Sequence, residues 1–205
     1  TCALPILIVD STTEGNQTVY NPAVLAITSD ITIQDKTSVP TLEKKVQENQ
    51  KSISGEYGNG FNDVADYNIG DKVPFHLIGS VPDMSQYTTY VYKFTDTLDK
   101  GFDAPADVKV YLSDDKVVDN KDTDVTKDFT VSQVTTSEDS AKSFTVSTNN
   151  LKTVNNGDIA KDQYIIVDYT AKLNASAEIG LPGNVNTAKL TYSNKPDQSG
   201  QGENQ

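Results

Sequence analysis

The sequence predicts an all-β fold, an antiparallel β-sandwich, and three observations carry that expectation. Apolar residues recur with a period of two in run after run, the spacing that sends alternate side chains to opposite faces of a strand. Turn signals (YGNG, NIGD, VPDM, LDKG, NNGD and LPGN) separate these runs at short intervals. The 3.6-residue period of an amphipathic helix is hard to find anywhere. About eight short strands so spaced predict a sandwich with Greek-key connections.

Residues 1–37 hold ALPILIV, AVLAIT and DITIQDK. They read as strands too few to make a core, either the end of a preceding domain or strands added to the main one. TSVP marks a boundary, because proline restricts its neighbour and removes a ladder donor. The main body, 38–196, runs through TLEKKV, KVPFHLIGSV, TTYVYKF, DVKVYL, DFTVSQV, KSFTVST, QYIIVDYTAKL and NTAKLTYS. The polar tail SNKPDQSGQGENQ closes the chain, and 197–205 reads as a linker to a following domain.

Composition narrows the function. Of 205 residues, 36% are hydrophobic and 22% charged, and the net charge is −12. That acidic balance opposes nucleic-acid binding, which needs a basic footprint, and abundant Thr, Ser, Asn, Asp and Val with no Trp suit an extracellular β protein. No apolar run is long enough to span a membrane, and TCALPILIVD lacks the basic start of a signal peptide. The single Cys2 makes no internal disulfide, and the single His76 excludes His-rich metal sites. No cofactor is expected.

Three strands each aim one polar group inward. In PTLEKKV, Lys44 lies between Leu42 and Val46 on one face. In YVYKFTD the face of Tyr90, Tyr92 and Phe94 reaches Asp96, and in TAKLTYSN the face of Ala188, Leu190 and Tyr192 reaches Asn194. Each such group buried alone costs roughly several kcal/mol, and together they offset one another. Burial favours a neutral amine and a protonated carboxyl. A neutral lysine is a nucleophile, and a protonated carboxyl polarises an amide carbonyl and moves protons. Attack of the lysine on the asparagine then expels ammonia and leaves an amide between two side chains.

VPTLEKKV, ADYNIGDKVPFHLIGSVP, YVYKFTDTLDKGF and GLPGNVNTAKLTYSNKP, in that order, resemble the successive signatures of a middle domain of Gram-positive, sortase-assembled pilus backbone subunits. That domain is similar to the A-type domain of collagen-binding adhesins. The resemblance covers about 38 to 196 and implies an immunoglobulin-like sandwich with an internal Lys–Asn isopeptide bond. By position it implies Lys44, favoured over Lys45 by parity, joined to Asn194 and promoted by Asp96. Asp66 is the alternative acid, with Glu178 and Asp168 weaker. It further implies a shaft module of a cell-wall-anchored pilus, with other pilin subunits and sortase as partners, and a single self-directed reaction in place of enzymatic turnover. The bond ties the first strand to the last, across the path of a pull from both ends. The chain lacks an LPxTG sorting signal, and VYNP (19–22) only faintly resembles a pilin motif, without its lysine. A piece of a longer protein is expected.

The alternative reading is a surface adhesin module gripping a host matrix protein or glycan, and an exposed aromatic patch would mark it. A turnover enzyme has little support. Asn120, Asp122 and Asp124 have calcium-loop spacing but lack the Gly and Glu of that loop; a solvated acidic loop is expected. His76 falls on the outward parity of its strand and is expected at the surface.

Overall fold

The computed structural model describes residues 6–14, 17–25, 39–48, 60–180, 183–195 and 201–204. The expected strand DITIQDK, most of GEYGNG and Cys2 lie outside them.

Near the N-terminus β1 (Ile6–Glu14) and β2 (Gln17–Leu25) form an antiparallel pair. The sandwich is built from β3 (Leu42–Gln47), β4 (Phe61–Asn62), β5 (Lys72–Ser80), β6 (Tyr92–Leu98), β7 (Ala106–Ser113) and β8 (Thr123–Asp124). It continues with β9 (Thr130–Val131), β10 (Thr135–Thr136), β11 (Lys142–Thr148), β12 (Tyr164–Lys172), β13 (Asn186–Ser193) and β14 (Gln201–Asn204). One sheet has the order β4-β3-β5-β12-β7-β8. The other runs β10-β11-β6-β13-β14, with β9 also paired to β11. Among the described residues helix is confined to 3-10 turns at 126–128 and 151–157. Four residues of the tail read as a linker are thus an edge strand, pairing Gln201–Asn204 with Ser193–Leu190.

Alternation places the core. Along β6, Tyr92, Phe94, Asp96 and Leu98 are buried, and Lys93, Thr95 and Thr97 are not. The facing strands contribute Val73, Phe75 and Leu77 from β5 and Ile165, Val167 and Tyr169 from β12. Gly79 stands where the sheets close most tightly. A methyl group there would lie 2.8 Å from Phe94 Cζ and against the Tyr92 hydroxyl, and that hydroxyl donates to the Ser80 carbonyl at 2.8 Å.

His76 corrects an expectation. It does point away from the core, but it is only 4% exposed. Phe61 of β4 folds over the outer face and stacks on the imidazole, centroids 3.7 Å apart. Parity reports the face of a strand and says nothing of what later covers that face.

Candidate functional site

The site forms where the two sheets meet near one end of the sandwich. Lys44 of β3 sits beside Leu77 of β5 in the ladder, and its amine crosses the 5.5 Å above the Phe75 ring to meet Asp96 Oδ1. Asp96 comes from the opposite sheet, between Phe144 of β11 and Ala188 of β13. The Asp96 side chain is 1% exposed and that of Lys44 17%.

Two further residues complete the cluster. The Tyr169 hydroxyl donates to Asp96 Oδ2 at 2.6 Å and accepts from Asn186 Nδ2 at 2.8 Å. Its ring is held between Phe75, stacked at 5.4 Å, and Phe144, edge-on at 5.2 Å. The β12–β7 register shifts beside Tyr169, and Asp107 of β7 takes a positive φ of 57° there. Such bulges re-aim side chains and concentrate at functional positions. Asn186 opens β13; its Oδ1 is buried and has no hydrogen-bond partner among the described residues.

Burial sets the electrostatics. It draws the Lys44 amine down to about 8, against the opposing pull of Asp96. It pushes the Asp96 carboxyl above the usual carboxylate range, while Lys44, Tyr169 and Asn186 pull it back. The Tyr169 phenol is raised far enough to stay protonated, by burial first and by Asp96 second. Burial thus works against the charged form of both partners, the amine and the carboxyl. A groove of about 880 Å³ reaches Lys44 and Asn186 from the surface, bordered also by Asp66, Ile69 and Ile179.

The structure brings Lys44 and Asp96 together but not Asn194. Ala188 is the β13 residue beside Asp96. Asn194 lies six positions further along, about 20 Å away at the rise of a strand, beyond the reach of a lysine side chain. Asn186, of the same parity, is the carboxamide that stands at the cluster. The other residues lie elsewhere. Lys45 Nζ pairs with Asp63 at 2.6 Å. Asp66 is exposed on the loop beside the groove. Glu178 pairs with Lys100 at 3.0 Å, and Asp168 lies 3.4 Å from His76 on the outer face.

In the acidic loop, Asp122 accepts from the Asp119 amide at 2.7 Å and Asp124 from the Thr126 amide at 3.0 Å. Among the described residues no three His, Cys, Asp or Glu side chains gather as a metal would require. Tyr169 was not singled out in the sequence; its only signal is that it shares the inward parity of Ile165 and Val167 in QYIIVDYTAKL.

Fold and site together define an all-β sandwich module that gathers an amine, an acid and a carboxamide from three strands at one buried point. A model of the Gram-positive pilin backbone subunit 2, Cna-B-like domain, matches residues 69–196. The chain belongs to that family, one of structural subunits of extracellular pili.

Two solved pilin structures share the fold at a TM-score of 0.50 or above. The 35 kDa C-terminal fragment of the major pilin GBS80 of Streptococcus agalactiae is 16% identical at a TM-score of 0.52, over 82% of this chain and 56% of that one. The full-length major pilin SpaD of Corynebacterium diphtheriae is 14% identical at 0.50, over 92% and 46%. The major pilin SpaA of the same organism, described in terms of a modular pilus assembly and stabilizing isopeptide bonds, is 18% identical at 0.48, over 80% and 35%. The chain therefore spans about a third to just over half of these pilins. No curated protein sequence matches it.

Proposed function

We propose that the chain is a shaft module of a Gram-positive surface pilus, held closed by an autocatalytic amide bond between Lys44 Nζ and Asn186 Cγ and promoted by Asp96. The observation that carries this reading is the convergence around Asp96 of an amine in contact with it and lowered to about 8 and, through Tyr169, a carboxamide whose oxygen lacks a partner among the described residues. Neutral Lys44 attacks Cγ while the Asp96 carboxyl, in its protonated form, polarises the amide. The Nζ–Cγ bond forms and the Cγ–Nδ2 bond breaks. A proton from Nζ ends on the departing nitrogen, which leaves as ammonia. The reaction occurs once per molecule and needs no cofactor.

In this reading residues 38–196, with the edge strand at 201–204, form the cross-linked domain, and 1–37 belong to a preceding domain or add strands to this one. Neighbouring pilin subunits and sortase are the partners of the whole protein, which is anchored at the cell wall. No observation favours the adhesin alternative: the large apolar side chains exposed among the described residues are aliphatic, such as Val64, Ile69 and Ile179.

Intact-mass spectrometry tests the bond. The expected mass is one ammonia below that of the sequence, with a branched peptide joining Lys44 to Asn186 after digestion. A full-mass protein refutes the bond and leaves the fold untouched.

A further inference from the structure

The proposed cross-link leaves one step open, which is how a proton reaches the departing nitrogen. Asp96 meets the amine through Oδ1. Its other oxygen, Oδ2, faces the Tyr169 hydroxyl at 2.6 Å. That hydroxyl is in turn 2.8 Å from Asn186 Nδ2, the atom that must leave. Lys44, Asp96, Tyr169 and Asn186 form an unbroken chain from nucleophile to leaving group, and Tyr169 lies on β12, which carries neither end of the new bond.

We propose that Tyr169 is a catalytic residue of the cross-linking reaction, relaying the proton from the Asp96 carboxyl to the departing nitrogen of Asn186. This rests on the Lys44–Asn186 reading.

The chemistry balances. In the amide, the Nδ2 lone pair is delocalised, and Nδ2 is a donor to Tyr169. Once Nζ adds to Cγ, Nδ2 becomes an amine nitrogen with a free lone pair, and its relation to the hydroxyl reverses. In the reacting form the Asp96 proton sits on Oδ2 and its hydrogen bond with Tyr169 is reversed as well: Nζ gives a proton to Asp96 Oδ1, Oδ2 gives its proton to the Tyr169 oxygen, and Tyr169 gives its own to Nδ2. The Cγ–Nδ2 bond then breaks and ammonia departs. Asp96 and Tyr169 both end neutral and protonated, ready for no second turn because the substrate is spent. The buried phenol never has to exist as an anion, since it gains one proton as it loses the other. The aromatic clamp of Phe75 and Phe144 keeps the hydroxyl on this line, and the same hydrogen bond fixes which side of the carboxamide faces it.

The test follows the full chain made by cell-free translation, with synthesis stopped and the fraction one ammonia lighter read against time by intact mass. Tyr169→Phe keeps the ring and removes only the hydroxyl, and melts of Lys44→Ala with and without Tyr169→Phe establish that the fold is unchanged. General acid–base groups contribute about 10²–10⁴-fold, so Tyr169→Phe should slow the reaction by about 100-fold or more. Phe144→Leu, which loosens the packing but spares the hydroxyl, should slow it only a few-fold. Difluorotyrosine at position 169 keeps the ring and both hydrogen bonds while making the hydroxyl a better donor and a poorer acceptor, and should change the rate; a purely structural tyrosine would leave it unchanged. Equal rates for wild type and Tyr169→Phe, equal slowing by Tyr169→Phe and Phe144→Leu, or no response to fluorination would each overturn the relay while the cross-link stood. A wild-type chain that kept its full mass would remove the relay together with the bond it serves.

Discussion

Asn186→Ala isolates the covalent tie. It removes the carbon that Lys44 would attack but leaves the Lys44–Asp96 pair and the Tyr169–Asp96 hydrogen bond in place. Lys44→Ala, by contrast, leaves Asp96 Oδ1 buried without the amine it meets. The bond between positions 44 and 186 closes a loop of roughly 140 residues, which on the chain-entropy model restrains the unfolded state by about 5 kcal/mol. For a domain of this size each kcal/mol moves the midpoint by about 2–4 °C. Asn186→Ala should therefore melt roughly 10–20 °C below wild type by circular dichroism, carry its full mass, and be cut by trypsin under conditions where wild type persists. Asn194→Ala should keep the ammonia deficit. Equal melting of Asn186→Ala and wild type, or loss of the deficit in Asn194→Ala alone, would refute the reasoning.

The other expectations are more local. Asp96→Ala should fold and retain its full mass, while Asp66→Ala, altered at an exposed loop position, should still lose ammonia; intact mass separates the two. In the Asn186→Ala background burial should still hold the folded Lys44 amine down, at about 8, against its ordinary 10.5 when unfolded. The unfolded chain then binds more protons across that window, so stability rises with pH there. Urea midpoints for Asn186→Ala, measured relative to Asn186→Ala/Lys44→Ala, should climb from pH 8 towards 10.5, and a decline would contradict the burial of that amine. Gly79→Ala pushes a methyl group to 2.8 Å from Phe94 and should cost about 1–3 kcal/mol in a urea titration; an unchanged midpoint would mean the sheets part there without penalty.

Strands were legible because half-buried strands write their burial into the sequence. YVYKFTD gave the inward face of β6, including Asp96, and TLEKKV gave Lys44 over Lys45. What alternation cannot supply is position along a strand. Asn186 and Asn194 share a parity with Ala188, Leu190 and Tyr192, so both satisfy the pattern. Only the register of β13 on β6, which sets Ala188 beside Asp96, chooses between them, and register is a property of two strands together. Tyr169 escaped for a related reason: an inward tyrosine reads as core until the partner of its hydroxyl is known. The edge strand Gln201–Asn204 escaped because its ladder uses backbone groups, which polar, Gly-rich composition conceals.

The groove of about 880 Å³ that reaches Lys44 and Asn186 bears on the direction of the proposed reaction. Exchanging one amide for another makes and breaks bonds of the same kind, so the chemistry supplies little driving force of its own. Mass action supplies it instead: each tenfold fall in ammonia concentration at the site favours the product by about 1.4 kcal/mol. A sealed interior would strengthen every charge in the cluster, yet it would also hold its by-product in place to attack the new bond. An open side turns the surrounding medium into a sink, and the step becomes permanent because one product cannot find its way back.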